Sequence, residues 1–368
     1  SIAMDTRLSA GVEQSSLNYQ ILSNYLDDSL DLAAEILRNP AYPGEELDKF
    51  RQQVFAYLSN IEQNPASNAR AMFNRAVFGH DHVLGGIWTA ALVENLSQTS
   101  LQAFHAREVA PDNIKIFMIG DIDLKTARDS VEASFGSWKD KNDSTLGPVG
   151  RAMAPMPKVI LVNQPQAVQS TIIAGHAIAP FDATSNTELT VLNAIFGGAF
   201  EARINMNLRE DKGWSYGMYS GVQSNRSGDQ TLTVSGSVQT DKTMESMQEI
   251  KREFDEFLST NPARDDELQR VKLNRTRSQP GRFATKRGFL QSMMASDSFG
   301  LPFDYAEGAA ERLNAVSLQR VSARAAELMH PEELIWVIVG DLSEIEEKVR
   351  SLNYGEIEVW DGFGNKVR

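Results

Sequence analysis

The chain has 368 residues, 42% of them hydrophobic and 23% charged, with a formal net charge of −13. That acidic balance argues against nucleic acid or an anionic membrane surface as a partner, because both are held by basic patches. The absence of cysteine excludes disulfides, thiolate metal sites and thiol nucleophiles, and no apolar run approaches the roughly 20 residues that span a bilayer.

In chain order, the first clear element is 44–61. Leu47, Phe50, Val54, Leu58 and Ile61 recur there at steps of three and four, which predicts an amphipathic helix with a core-facing stripe. "HDH" (80–82) reads as a loop after a helix, and "HARE" (105–108) as a helical turn. "KDKNDSTLGPVGRAMAPMP" (139–157) is polar, then rich in Pro and Gly, and is expected to be an interdomain linker. "VILVN" (159–163) and "QSTIIAGHAI" (169–178) read as strands separated by a Pro-containing turn. "EARINMNLRE" (201–210) has Ile204 and Leu208 four apart and reads as a helix that stops at Lys212-Gly213. The chain then continues as a strand, "WSYGMYSGV", turns at "SNRSGD" (224–229), and returns through "TLTVSGSV" (231–238), where apolar residues alternate. Met244, Met247, Ile250, Phe254 and Leu258 mark a further amphipathic helix.

A chain of this length is expected to divide into two domains, and self-comparison supports a duplication. "PDNIKIFMIGDI" (111–122) answers "PEELIWVIVGDL" (331–342), "SLQ" recurs at 100–102 and 317–319, and "NPAYPGEEL" (39–47) answers "NPARDDEL" (261–268), all at offsets of about 220. The expected domains are 1–145 and 155–368, both α+β, each a mostly antiparallel sheet with helices on one face. Strands 114–119 and 334–339 should then be equivalent. Measured from the shared markers, the first copy is short of about 64 residues at its start.

Candidate chemistry is sparse. The histidines are His80, His82, His105, His176 and His330. His80 and His82 lack an evident third ligand, and His176 in an apolar strand reads as a satisfied core histidine. His105 and Glu108 share a helical face, but an inverted zinc motif, H-x-x-E-H, needs a histidine where the chain has Val109. No nucleophile elbow or Walker loop is present, and "FGGAF" (196–200) reads as a tight turn. What remains is "NLREDKGWSYG" (207–217), in which Arg209 closes a helix and Tyr216 opens a strand. A tight return could bring both to one end of a sheet, as a functional pair or simply as a helix-end arginine and a strand tyrosine.

"LNAIFGGAFEARINMNLREDKGWSYG" (192–217) resembles the arginine–tyrosine segment of the insulinase, or pitrilysin, family of zinc metallopeptidases, which includes the mitochondrial processing peptidase. The residues that carry the resemblance are Gly197, Gly198, Phe200, Arg203, Leu208, Arg209, Glu210, Gly213, Tyr216 and Gly217. It extends to 30–53, "FGHDH" (78–82), 104–122 and "FGSWK" (135–139). The resemblance implies the processing-peptidase fold and the C-terminal half of a long tandem bacterial member, with the zinc in the N-terminal half of the same protein or in a partner subunit and none held by this chain. It implies that Arg209 and Tyr216 bind substrate and support the transition state, with Gly213 and Gly217 letting a peptide or unfolded polypeptide approach the backbone, and that a substrate adds as a strand to a sheet edge. It also implies a zinc metalloendopeptidase as the parent, inactivity of this portion alone, and a periplasmic location. The competing expectation is a non-catalytic relative serving as a peptide-binding or scaffold subunit.

Overall fold

The computed structural model describes residues 5–368 apart from 62–63, 140–143, 145–146, 148 and 155. Its strands are β1 (Asp5–Ala10), β2 (Ser15–Gln20), β3 (Lys158–Asn163), β4 (Gln169–Ile178), β5 (Ser215–Gln223), β6 (Gln230–Gln239), β7 (Ile335–Gly340) and β8 (Glu356–Trp360). Its helices are α1 (Leu26–Arg38), α2 (Gly44–Ser59), α3 (Pro65–Phe78), α4 (Ala90–Glu94), α5 (Gln98–Glu108), α6 (Leu124–Phe135), α7 (Asn186–Phe196), one-turn α8 (Arg203–Asn205), α9 (Thr243–Phe257), α10 (Asp265–Arg282), α11 (Lys286–Ser298), α12 (Ala309–Ala315), α13 (Leu318–Leu328) and α14 (Leu342–Ser351). They form two compact units. Unit 1 takes 1–58, 88–148 and 281–298, and unit 2 takes 59–87, 149–280 and 299–368. One crossing, at 148/149, falls in the stretch expected to be a linker, part of which lies outside the described residues. Segments 59–87 and 281–298 also change unit, so the division is not a single cut.

Unit 1 is helical around one hairpin. β1 and β2 pair antiparallel, Asp5 opposite Gln20. Helix α1 packs on α6, where Ser134 donates to Asp31 at 2.6 Å. Side chains satisfy the open N–H groups at helix starts: Ser97 caps α5 in a reciprocal pair with Ser100, and Asp123 caps α6. Here the structure corrects an expectation. Residues 114–119, which the repeat equates with β7, form no strand. A strand exists only through its neighbours' hydrogen bonds. β7 has β4 and β3 beside it, whereas in unit 1 the two described strands pair only with each other.

Unit 2 is a mixed α/β layer structure. Its sheet has the order β5-β6-β4-β7-β3-β8, antiparallel from β5 through β7 and parallel across β7, β3 and β8. One face presents Val159, Leu161, Ile172, Ala174, Trp336 and Ile338 to α7, α9, α13 and α14. The other presents Ile160, Val162, Ile173, Val337 and Val339 to Met72, Phe73 and Ala76 of α3. Helices therefore cover both faces rather than the one expected. Parallel strands with continuous apolar runs require this. β7, "IWVIVG", is buried at every position, and each large side chain so covered contributes about 1.5–3 kcal/mol.

Both outer strands have part of their free edge already bonded. On β5 the Met218 N–H donates to Asn205 Oδ1 at 3.1 Å and the Ser220 N–H to the Gly197 carbonyl at 3.0 Å. On β8 the Val359 N–H donates to the Arg368 carbonyl at 2.8 Å, and its carbonyl accepts from Val367 N–H at 2.7 Å. Covered edges resist unwanted strand pairing, and at these positions they leave no open ladder for an added strand.

Candidate functional site

The stretch from 197 to 219 in unit 2 is built from tight local constraints. Gly197 lies against β5, where an added Cβ would come within 2.6–2.7 Å of Ser220 Oγ, Cβ and N, so only glycine fits. Arg203, at the start of α8, is then anchored. Its Nε and Nη2 donate to Glu267 at 2.7 and 2.6 Å, Nη1 reaches the Asn261 carbonyl, Nη2 the Pro262 carbonyl at 2.7 Å, and the guanidinium lies 4.8 Å over the Phe257 ring. Both members of this ion pair are buried, with side chains 8% and 2% exposed.

Beyond α8 the expected α-helix widens into a π-helix, Met206–Asp211. The Lys212 N–H bonds to the Asn207 carbonyl at 3.0 Å, five residues back. Such widenings are rare and frequent at functional sites. Tertiary bonds hold this one: the Asn207 amide donates to Glu249 at 2.9 Å and to Glu253 at 2.7 Å, both on α9. Burial pushes the Glu253 carboxyl above its ordinary value, with the Asn207 bond acting against it. Gly213 ends the helix with φ +66°, a left-handed conformation natural for glycine. Trp214 N–H returns to the Leu208 carbonyl at 3.0 Å and β5 begins.

Arg209 sits in the π-helix with its guanidinium 4.5 Å over the Phe200 ring and its Nε 3.2 Å from Glu210. Its side chain is 36% exposed. Phe200 is itself half exposed, at 51%. Tyr216 is 90% exposed and its hydroxyl has no hydrogen-bond partner among the described residues. Both predicted side chains reach solvent from the helix-to-strand return. No hydrogen bond joins them; Arg209 lies on the Phe200 ring, and Tyr216 stands open to solvent. Gly213 has open space on its Cβ side, but Gly217 does not: a Cβ there would meet the Tyr219 ring at 2.7 Å. Sequence reasoning singled out neither Phe200 nor Asn205 for a role at the pair. Phe200 stood in the resemblance motif, and an asparagine inside a helical pattern is a signal of side-chain-to-backbone bonding.

Four of the five histidines lie outside any group of three possible metal ligands among the described residues. His105 uses both ring nitrogens, with Tyr42 Oη at 3.1 Å and the Leu37 carbonyl at 2.9 Å. His176 is buried, with Nδ1 at 3.0 Å from the Ala177 carbonyl and Nε2 accepting from the His330 N–H at 3.2 Å. His82 Nδ1 accepts from the Leu84 N–H at 3.1 Å, and His80 lies beside Asp81 at 2.9 Å. His330, Glu332 and Glu333 bring one ligand atom each within 4.8 Å of one another, with His330 Nδ1 3.4 Å from Glu332, and are the group that could hold a metal ion among the described residues.

Comparison with known proteins fits this geometry. A family model described as "Peptidase M16 inactive domain" matches residues 95–275. An uncharacterized zinc protease of Mycobacterium tuberculosis is 26% identical over 207 residues, covering 55% of this chain and 47% of that protein. The chain thus spans about half the length of the curated relatives it matches. Among solved structures, a peptidase M16 inactive domain from Pseudomonas fluorescens superimposes with a TM-score of 0.84 at 20% identity, over 92% of this chain and 81% of that one. The periplasmic protease PqqL from Escherichia coli superimposes with a TM-score of 0.77 at 12% identity, over 92% of this chain but 37% of its own. At these identities the structural matches establish the fold. Among the described residues no helix is long and apolar enough to cross a membrane.

Proposed function

Starting from the premise that this chain belongs to the peptidase M16 family, in its inactive-domain class, we propose that it is the non-zinc-binding half of a zinc metalloendopeptidase and presents Arg209 and Tyr216 to a peptide substrate. The observation that carries this reading is Tyr216, a large side chain 90% exposed with an unpartnered hydroxyl, following an arginine held by a π-helix. A tyrosine packed for stability would be expected to bury its ring. Hydrolysis would be carried out on another half of the same protein or on a partner subunit, at a zinc site to which this chain contributes no ligand. The tasks of this chain are binding and polarisation. The guanidinium offers a planar fork of donors to substrate carbonyls. The phenol can donate to an oxygen that gains negative charge, a kind of contact whose loss costs about 3 kcal/mol where it has been measured. With part of both outer strand edges in unit 2 already bonded, side-chain contact is the favoured mode here rather than strand addition.

Peptide or unfolded polypeptide is the substrate class this reading implies, and the likeness to PqqL supports a periplasmic setting. The test is binding of fluorescein-labelled unfolded β-casein to the purified chain. Arg209→Ala should weaken binding about tenfold, as expected for loss of a charged hydrogen-bonding group. Equal binding by wild type and Arg209→Ala would sink the reading. Binding that survives Arg209→Ala and Tyr216→Ala together would point instead to a scaffold that engages peptides elsewhere.

A further inference from the structure

We propose that Asn205 is the positioning residue of this site, setting where Arg209 and Tyr216 stand relative to each other; the proposal rests on the reading above. Asn205 is fully buried. Its amide makes two bonds to two different backbone segments. Nδ2 donates to the Phe200 carbonyl at 2.7 Å, and Oδ1 accepts the Met218 N–H at 3.1 Å. Phe200 carries the ring on which the Arg209 guanidinium lies. Met218 is two residues beyond Tyr216, at the end of the irregularity that separates Ser215 from Met218 in the β5–β6 register. One side chain therefore ties the platform under the arginine to the strand that carries the tyrosine.

The placement also explains the residue type. Asparagine offers a donor and an acceptor on one short planar group, and both are needed here: the Phe200 carbonyl accepts and the Met218 N–H donates. Aspartate lacks the donor, and leucine of similar volume lacks both. The tie sits at the junction of α8 and the π-helix. Its loss frees the Phe200 carbonyl and the Met218 N–H together, at the two positions that frame the pair.

The experiment uses the full chain and the β-casein probe. Asn205→Leu is compared with Asn68→Leu, a second buried asparagine, which donates to the Gly362 carbonyl at 3.5 Å from α3. Asn68 makes that single long bond and its Oδ1 has no partner, so its loss tests removal of a buried asparagine away from the pair, and a purely structural role of Asn205 predicts lower stability with unchanged probe affinity in the folded protein. The proposal predicts that Asn205→Leu weakens probe binding about tenfold and that Asn68→Leu, folded, binds as wild type. It further predicts that Arg209→Ala has almost no added effect in the Asn205→Leu background, because residues in one network do not add. Full additivity, or wild-type binding by folded Asn205→Leu while Arg209→Ala is weak, overturns it. Amide hydrogen exchange gives a second readout that needs no ligand. Asn205→Leu should speed exchange at Met218 and across 206–213, and Asn68→Leu should not. If wild-type protein does not bind the probe at all, the functional reading has failed, and unchanged exchange in Asn205→Leu then overturns the tie as well.

Discussion

Glu267→Ala breaks the anchor at the start of the site, and its cost can be worked from the contacts. Glu267 receives Arg203 through two bonds of 2.7 and 2.6 Å and also accepts the Arg264 N–H at 2.8 Å. Its removal leaves the Arg203 guanidinium, 8% exposed, with two carbonyls and the Phe257 ring but no bonded carboxylate. Breaking one partner of a buried pair costs about 3–5 kcal/mol, because the remaining charge stays desolvated. That is a large part of the 5–15 kcal/mol typical of a whole protein. Nearby Asp266 supplies the contrast. It pairs with Arg264 at 3.2 Å, but the side chains are 66% and 53% exposed, so Asp266→Asn should leave the unfolding midpoint almost unchanged. Urea unfolding followed by tryptophan fluorescence reads both, as a fall in midpoint with the slope unchanged. The double variant Arg203→Met, Glu267→Leu should recover much of the loss, since it removes both charges. If Glu267→Ala costs no more than Asp266→Asn, the anchoring argument for Arg203 is wrong.

Further outcomes follow from other parts of unit 2. Burial holds His176 below its ordinary 6.5; the unfolded chain therefore takes the proton first, and stability should fall as pH is lowered from about 6.5 towards the folded value. His176→Phe should flatten that part of a stability-against-pH curve, and an unchanged slope would contradict the assignment. Asp182 is held at about 2 by bonds from Ser185 and Thr184 ahead of α7; its small contribution should be present above about 4 and vanish as pH falls through about 2, with Asp182→Ala removing it. Gly197→Ala places a methyl against the backbone and side chain of Ser220 and should cost about 1–3 kcal/mol by overpacking, measured by the same urea titration. Metal analysis of the purified chain should find well under one zinc per molecule, and a stoichiometric zinc lost on mutating His80 and His82 would refute that.

Periodicity made several elements legible. The apolar steps of α9 and the runs of β3, β4 and β6 each follow from local pattern; α2 is helical as its steps predict, but its stripe does not face a core as expected, since Leu58 is its one buried residue and Phe50 is exposed. The stop at Gly213 was legible because a left-handed residue favours glycine, whereas the pair at 197–198 is glycine for lack of space beside Ser220 and Asn193. What could not be read depends on contacts distant in sequence. The π-helix exists because Asn207 is held by Glu249 and Glu253, more than 40 residues away. Residues 114–119 have a strand-like composition, but a strand is a property of its partners. Helix α3 carried a readable signal, Ala69, Met72, Phe73, Ala76 and Val77, yet nothing local says that it covers the second face of a sheet whose strands begin at Lys158. In the site, Arg209 and Tyr216 stood out by motif, whereas Asn205 acquires its role only through Met218.

The central claim is that this chain contributes to catalysis through an exposed pair without holding the metal. The most direct measurement is kcat and zinc content for Tyr216→Phe in the complete zinc-bearing protein or reconstituted complex. The substitution removes one hydroxyl that has no partner among the described residues, so folding and zinc content should match wild type. If the hydroxyl supports the developing charge, kcat falls roughly 100-fold or more. Wild-type kcat with full zinc content would contradict the account and return Tyr216 to the ordinary surface of β5.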